Sequence, residues 1–149
     1  INPTGEAKNI GRAVSLKVDD RIRALLLVPD NQLATSKARK LLPETISHQD
    51  AVLNSSRSAL LVHALAERPD LLFTATGDLL HQKYREPAMP KTIALVEKLR
   101  GAGLAAVVSG AGPSVMVLYA GSEDEIDQVS SLAPGFSAMK LAVAKAGVQ

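Results

Sequence analysis

The chain has 149 residues, 46% of them apolar and 21% charged, with a formal charge of +2, as expected of one globular domain with its own core. It has no cysteine, which excludes disulfides, thiolate metal sites and cysteine nucleophiles and suits the cytoplasm. Few aromatic residues, no Trp and dispersed basic residues argue against nucleic-acid binding, and no apolar run approaches the roughly eighteen residues of a membrane helix.

Ile1-Asn2-Pro3-Thr4-Gly5 is neither a signal peptide nor a Met start, so the expectation is a piece of a longer protein. Arg12 to Val18 alternates apolar and polar residues and predicts a half-buried strand. Ile22 to Val28 is nearly continuous in apolar residues and predicts a central strand, ended by Pro29-Asp30. Thr35 to Leu42 predicts a short helix closing before Pro43, with Thr35 and Arg39 on one face. A solvated basic face of Lys37, Arg39 and Lys40 accounts for the same pattern.

Helical spacing of Val52, Ala59, Val62 and Leu65 predicts a helix from His48 to Glu67, with Asp50 in its first turn. A second helix opens at Pro69, carries Leu71, Leu72, Ala75, Leu79 and Leu80, and is expected to run to Tyr84. Gly77 marks close packing or a kink within it. A third spans Pro90 to Arg100 and stops at Gly101-Ala102-Gly103. Apolar runs Leu104–Val108 and Val115–Tyr119 then read as strands. Ser122 with Glu125 resembles a capping box opening a helix to Leu132. Phe136 to Val143 is the last strand, its facing left open by Lys140 between Met139 and Leu141. This order predicts an α+β fold, a ferredoxin-like β-α-β-β-α-β frame with inserted helices.

Between the two middle strands lies Ser109-Gly110-Ala111-Gly112-Pro113-Ser114, which must turn. Its glycines let backbone N–H groups approach a ligand, although a tight hairpin needing positive φ explains them as well. It lacks the Lys of a P-loop, and Val115 stands where a dinucleotide fingerprint needs its third Gly. The three histidines, His48, His63 and His81, have no metal-ligand spacing, so no bound metal is expected, and His63 reads as a packed residue. No Gly-x-Ser-x-Gly elbow occurs, and Asn54-Ser55-Ser56 fits a glycosylation acceptor by chance. There remain Thr35, Arg39 and Arg85 near predicted helix ends. Guanidinium forks beside a glycine loop suit an anionic small molecule.

The segment Val107 to Ser114 resembles the third motif of the GHMP small-molecule kinases. Within that group the chain is more similar to the homoserine kinases, through Thr35-Ser36-Lys37-Ala38-Arg39 with Leu42-Pro43, Ser47 to Val52, and Asn54 with Arg57. Asp78, Leu80-His81-Gln82 and Tyr84-Arg85 complete the likeness. The resemblance covers only the C-terminal half of such enzymes. The Pro-x-x-x-Gly-Leu-Gly-Ser-Ser-type loop of their first half does not occur here. It therefore implies that residues 1–20 end an N-terminal kinase domain and residues 21–149 form the GHMP kinase C-terminal domain.

The resemblance further implies transfer of the γ-phosphoryl group of ATP to the hydroxyl of L-homoserine, in threonine biosynthesis. Arg39 and Arg85 would hold the substrate carboxylate and the transferring phosphoryl region, with Thr35 and Arg39 in catalytic positions and Gly110 lining the amino-acid site. ATP with Mg2+ would be bound mainly by the other half, so the chain alone is expected to be inactive. Implied partners are L-homoserine, ATP and the chain's own N-terminal domain, with a homodimer allowed. The rival readings are another GHMP kinase, acting on mevalonate or a diphosphocytidyl-methylerythritol, and a small-molecule-sensing or interaction module on the same frame.

Overall fold

The computed structural model describes residues 15–30, 38 and 40–144. Its centre is an antiparallel sheet of β1 (Arg23–Pro29), β2 (Ala105–Val108), β3 (Val115–Tyr119) and β4 (Phe136–Ala142), in the order β2-β3-β1-β4. With α4 (Pro90–Gly101) before β2 and α5 (Glu123–Ser131) between β3 and β4, this is the expected ferredoxin-like frame.

Period-2 alternation puts Leu25 and Leu27 of β1 on one face, with Val117 and Val115 as their partners on β3. All four are fully buried, against Leu95, Val96 and Leu99 of α4 and Ile126 and Val129 of α5. Each such side chain is worth roughly 1.5–3 kcal/mol of transfer free energy. Lys140 shares this face, opposite Leu25, and its ammonium reaches Asp127 of α5 at 2.9 Å. That settles the facing of β4: Met139 and Leu141 lie on the other side, exposed.

The inserted helices begin with α1 (His48–Ala66), where the Ser47 hydroxyl accepts from the Asp50 N–H at 3.0 Å. Its C-terminal part packs Ala64, Leu60 and Leu61 against Leu72, Ala75, Ile22 and Ala105. The N-terminal part does not share that contact. Val52, expected in the core, is about half exposed, and so are Val62 and His63 on the outer side of the C-terminal part, the latter 3.8 Å from Glu67.

Two predicted elements differ. Residues 15–18 of the expected first strand join no ladder, because β1 is already paired on both sides by β3 and β4. Val18 instead packs against the α1 cluster, and the Asp19 N–H donates to Leu65 O at 2.8 Å. Residues 12–14 lie outside the described residues, as does half of the predicted Thr35–Leu42 helix, including Thr35 and Arg39, and residues 40–42 at its expected end form a turn rather than helix. Ala38 is helical and buried.

The predicted helix from Pro69 to Tyr84 is broken. A 3-10 turn (Pro69–Leu71) leads into α2 (Leu72–Ala75), and α3 (Gln82–Arg85) follows only after a turn. The break comes at Gly77, where the Arg57 guanidinium lies 2.9 Å from the place a Cβ would take. The Asn54 side chain then accepts from the Leu79 N–H at 3.0 Å, which explains that Asn without glycosylation. α4 ends in a Schellman closure, Leu104 N–H to Leu99 O at 3.1 Å, with Gly103 at φ +83°.

Candidate functional site

The glycine loop closes on itself through Ser109 N–H to Ser114 O (2.8 Å) and Gly112 N–H to Ser109 O (3.0 Å). Gly110 and Gly112 adopt φ of +58° and +84°, and the Gly112-Pro113 peptide is cis. The two glycines differ in their surroundings. A Cβ on Gly110 would meet nothing within 4 Å, whereas one on Gly112 would lie 2.7 Å from Met89 Sδ and Cε and 3.1 Å from Val108 Cγ1. Gly112 is a packing glycine; Gly110 faces open space.

Side chains from two helices fasten this loop. Arg85 at the end of α3 donates from Nη1 to Gly110 O at 3.0 Å, and Thr92 of α4 donates to Pro113 O at 2.8 Å. Arg85 is 8% exposed, and its Nε is buried with no hydrogen-bond partner among the described residues. Leaving such a donor unmade costs on the order of 1–3 kcal/mol. Beside it opens a cavity of about 230 Å³ lined by Asp78, His81, Gln82, Arg85, Val107, Val108 and Gly110. The structure thus brings Arg85 and Gly110 into contact at one small cavity, while Thr35 and Arg39 lie outside the described residues.

The wall of that cavity is organised by Asp78. Its carboxylate accepts from the backbone N–H of Leu80 (3.1 Å), His81 (3.0 Å) and Gln82 (2.6 Å), and lies 3.2 Å from His81 Nδ1. Burial pushes its pKa up, but the Gln82, Leu80 and His81 hydrogen bonds outweigh this and hold it below the usual carboxylate value. A lowered folded-state pKa means stability present above the ordinary value of 3.8 and lost as pH falls below it. We expect Asp78→Ala to cost about 1–3 kcal/mol near neutral pH. The gap from wild type should narrow on acidification through the carboxylate range, as followed by urea unfolding. A gap independent of pH would mean that the charge of Asp78 is not what holds the turn.

Residue patterning did not disclose this arrangement. Asp78 lies inside the predicted Pro69–Tyr84 helix, and the one local signal for a turn there is its place just after Gly77. Thr92, buried at the start of α4, carried no signal.

The family described as GHMP kinases C terminal matches residues 56–132, from within α1 to just past α5. The chain belongs to this GHMP kinase C-terminal family. Two homoserine kinases are similar to it in sequence. That of Streptomyces coelicolor is 51% identical over 122 residues, covering 82% of this chain and 39% of that protein. That of Streptomyces avermitilis is 47% identical over 133 residues, covering 89% and 43%. The chain therefore spans about two-fifths of the length of these curated relatives. The crystal structure of homoserine kinase from Cytophaga hutchinsonii is similar in fold, with a TM-score of 0.79 at 22% identity, over 87% of this chain and 44% of that chain. No helix among the described residues is long and apolar enough to cross a membrane.

Proposed function

We propose that this chain is the C-terminal domain of a homoserine kinase and supplies the part of the site that binds the amino-acid substrate. The observation that carries the reading is the Arg85–Gly110 contact at a cavity of about 230 Å³, in a chain about half identical to homoserine kinases over most of its length. A buried guanidinium with an unmatched N–H is suited to a carboxylate, because charge and hydrogen bond are satisfied together. Thr35 and Arg39 join Arg85 around the substrate in this reading, with Arg39 and Arg85 on the carboxylate and phosphoryl region.

We place MgATP outside this cavity, on two observations. The carboxylate in its wall, Asp78, already accepts three backbone N–H groups, and the volume is on the scale of an amino acid rather than a nucleotide. We assign ATP and Mg2+ to the N-terminal domain that precedes residue 21, and to this chain the binding and orientation of L-homoserine. Its contribution to phosphoryl transfer is positioning and neutralisation of charge. The overall reaction gives O-phospho-L-homoserine, a step of threonine biosynthesis, in the cytoplasm. Exposed Val52 and Leu53 of α1 and Met139 and Leu141 of β4 are surfaces suited to the rest of the longer protein, whose relatives are more than twice this length.

The test is formation of phosphohomoserine from L-homoserine and MgATP, read by mass spectrometry. The full-length protein is expected to make it and the 149-residue chain alone is not. Product from the chain alone would overturn the division of labour. A full-length protein that ignores homoserine but phosphorylates mevalonate or a diphosphocytidyl-methylerythritol would overturn the substrate.

A further inference from the structure

β2 is the outer strand of the sheet, so every second residue turns its N–H and C=O away from β3 with no strand to receive them. Two of these outward groups, and the Gly110 carbonyl in the loop beyond them, are taken by side chains. Arg100 donates to Ala106 O at 3.2 Å, Gln82 Oε1 accepts from the Val108 N–H at 2.6 Å, and Arg85 donates to Gly110 O at 3.0 Å. Ala106 and Val108 belong to the strand edge, and Gly110, at φ +58°, lies in the loop that follows it. The last two contacts come from residues three apart in α3, hence from one face of it. Because the Val108 group is a donor, the Gln82 atom facing it is the amide oxygen, not the nitrogen.

We propose that Gln82 is a positioning residue: by holding the Val108 amide it sets α3 against the start of the loop and so aims Arg85 and Gly110 at the same cavity. The inference rests on the functional reading above for its kinetic consequence, but not for the contact itself. Arg85 fixes one loop carbonyl, a single point between α3 and the glycine loop. Gln82 supplies the second point, at Val108, the last residue of β2. Asp78, by holding the Gln82 N–H at 2.6 Å, fixes the near end of the same clip. A displacement of the order of 1 Å at such a point costs up to about a hundredfold in rate when the groups it moves orient a substrate.

The experiment uses three variants of the full-length protein. Gln82→Met removes the acceptor at similar size, Gln82→Asn withdraws it by one methylene, and Gln82→Glu keeps an acceptor in reach. Amide hydrogen exchange should show the Val108 N–H exchanging about tenfold faster or more in the Met and Asn variants and staying protected in the Glu variant. KM for homoserine should rise about tenfold or more in the first two, with KM for ATP unchanged. Should the Met variant fail to fold, the Asn variant carries the comparison. Unchanged exchange in both would overturn the contact. Faster exchange with an unchanged homoserine KM would overturn its positioning role. If the wild type itself does not use homoserine, the functional reading falls. The exchange of the Ser109 and Gly110 amides then decides whether Gln82 orders the loop.

Discussion

Gly112→Ala is expected to destabilise the protein by about 2–4 kcal/mol, from left-handed backbone strain plus overpacking. The backbone stands at φ +84°, where a Cβ is penalised whatever the space around it. Here there is also no space: Met89 is 2% exposed, enclosed with Ala38, Ile93 and Val108, and its Sδ and Cε occupy the place the methyl would take. A methionine end can bend, which keeps the cost from rising further, but Val108 Cγ1 at 3.1 Å belongs to a stiff β-branched side chain. Gly110→Ala is the control. Its φ is +58° with nothing within 4 Å, so strain alone remains, about 1–2 kcal/mol. Urea unfolding of both variants makes the comparison. Combining Gly112→Ala with Met89→Ala should cost at least about 1 kcal/mol less than the sum of the two, because the truncated side chain vacates the contested space. Equal losses for the two glycines would mean that the loop is not packed on Met89.

Why some of this could be read from the chain and some could not follows from the range of the forces. β1, β3 and α4 were legible because the apolar runs Ile22–Val28 and Val115–Tyr119 and the helix formers of Pro90–Arg100, closed by Gly101-Ala102-Gly103, are signals carried within a few residues. β4 was legible as a strand, but its facing was not, because it is almost wholly exposed. The run from Pro69 to Tyr84 misled because its break is made by partners far along the chain. Arg57 fills the space beside Gly77, and Asn54 holds the Leu79 N–H. Thr76 meanwhile turns its hydroxyl back onto Leu72 O at 2.7 Å, a bond a helix interior also allows. The alternation of residues 15–18 was real but satisfied by packing against α1 rather than by a ladder. At the site, composition pointed to Arg85 and the glycine loop as partners for an anion. The bond between them spans 25 residues and could be seen only in three dimensions. Gln82 was visible as part of a resemblance, but its bond to an edge amide has no local sequence signature.

Replacing Arg85 with Ala should lower kcat/KM for homoserine by an amount equivalent to about 2–5 kcal/mol, the range for deleting one partner of a desolvated charged contact. Two losses are combined in that figure, and they can be separated. One is the bond to Gly110 O; the other, in the proposed function, is the charge offered to the substrate at the cavity. Thr92→Val removes a comparable loop contact, the hydroxyl bond to Pro113 O, at a residue that does not line the cavity. If order in the loop were all that Arg85 supplies, the two variants would lose homoserine affinity to a similar degree. The expectation is that Thr92→Val costs mainly stability, about 1 kcal/mol, while Arg85→Ala raises homoserine KM steeply and leaves ATP KM near its wild-type value. Arg85→Lys sharpens the distinction. It keeps the charge but has a single nitrogen, which cannot bond Gly110 O in the guanidinium geometry and face a carboxylate with a second N–H pair. It should therefore fall between wild type and Ala. A Lys variant equal to wild type would mean that charge alone is needed. An Ala variant equal to wild type would remove Arg85 from the substrate site and leave it as a clasp on the loop.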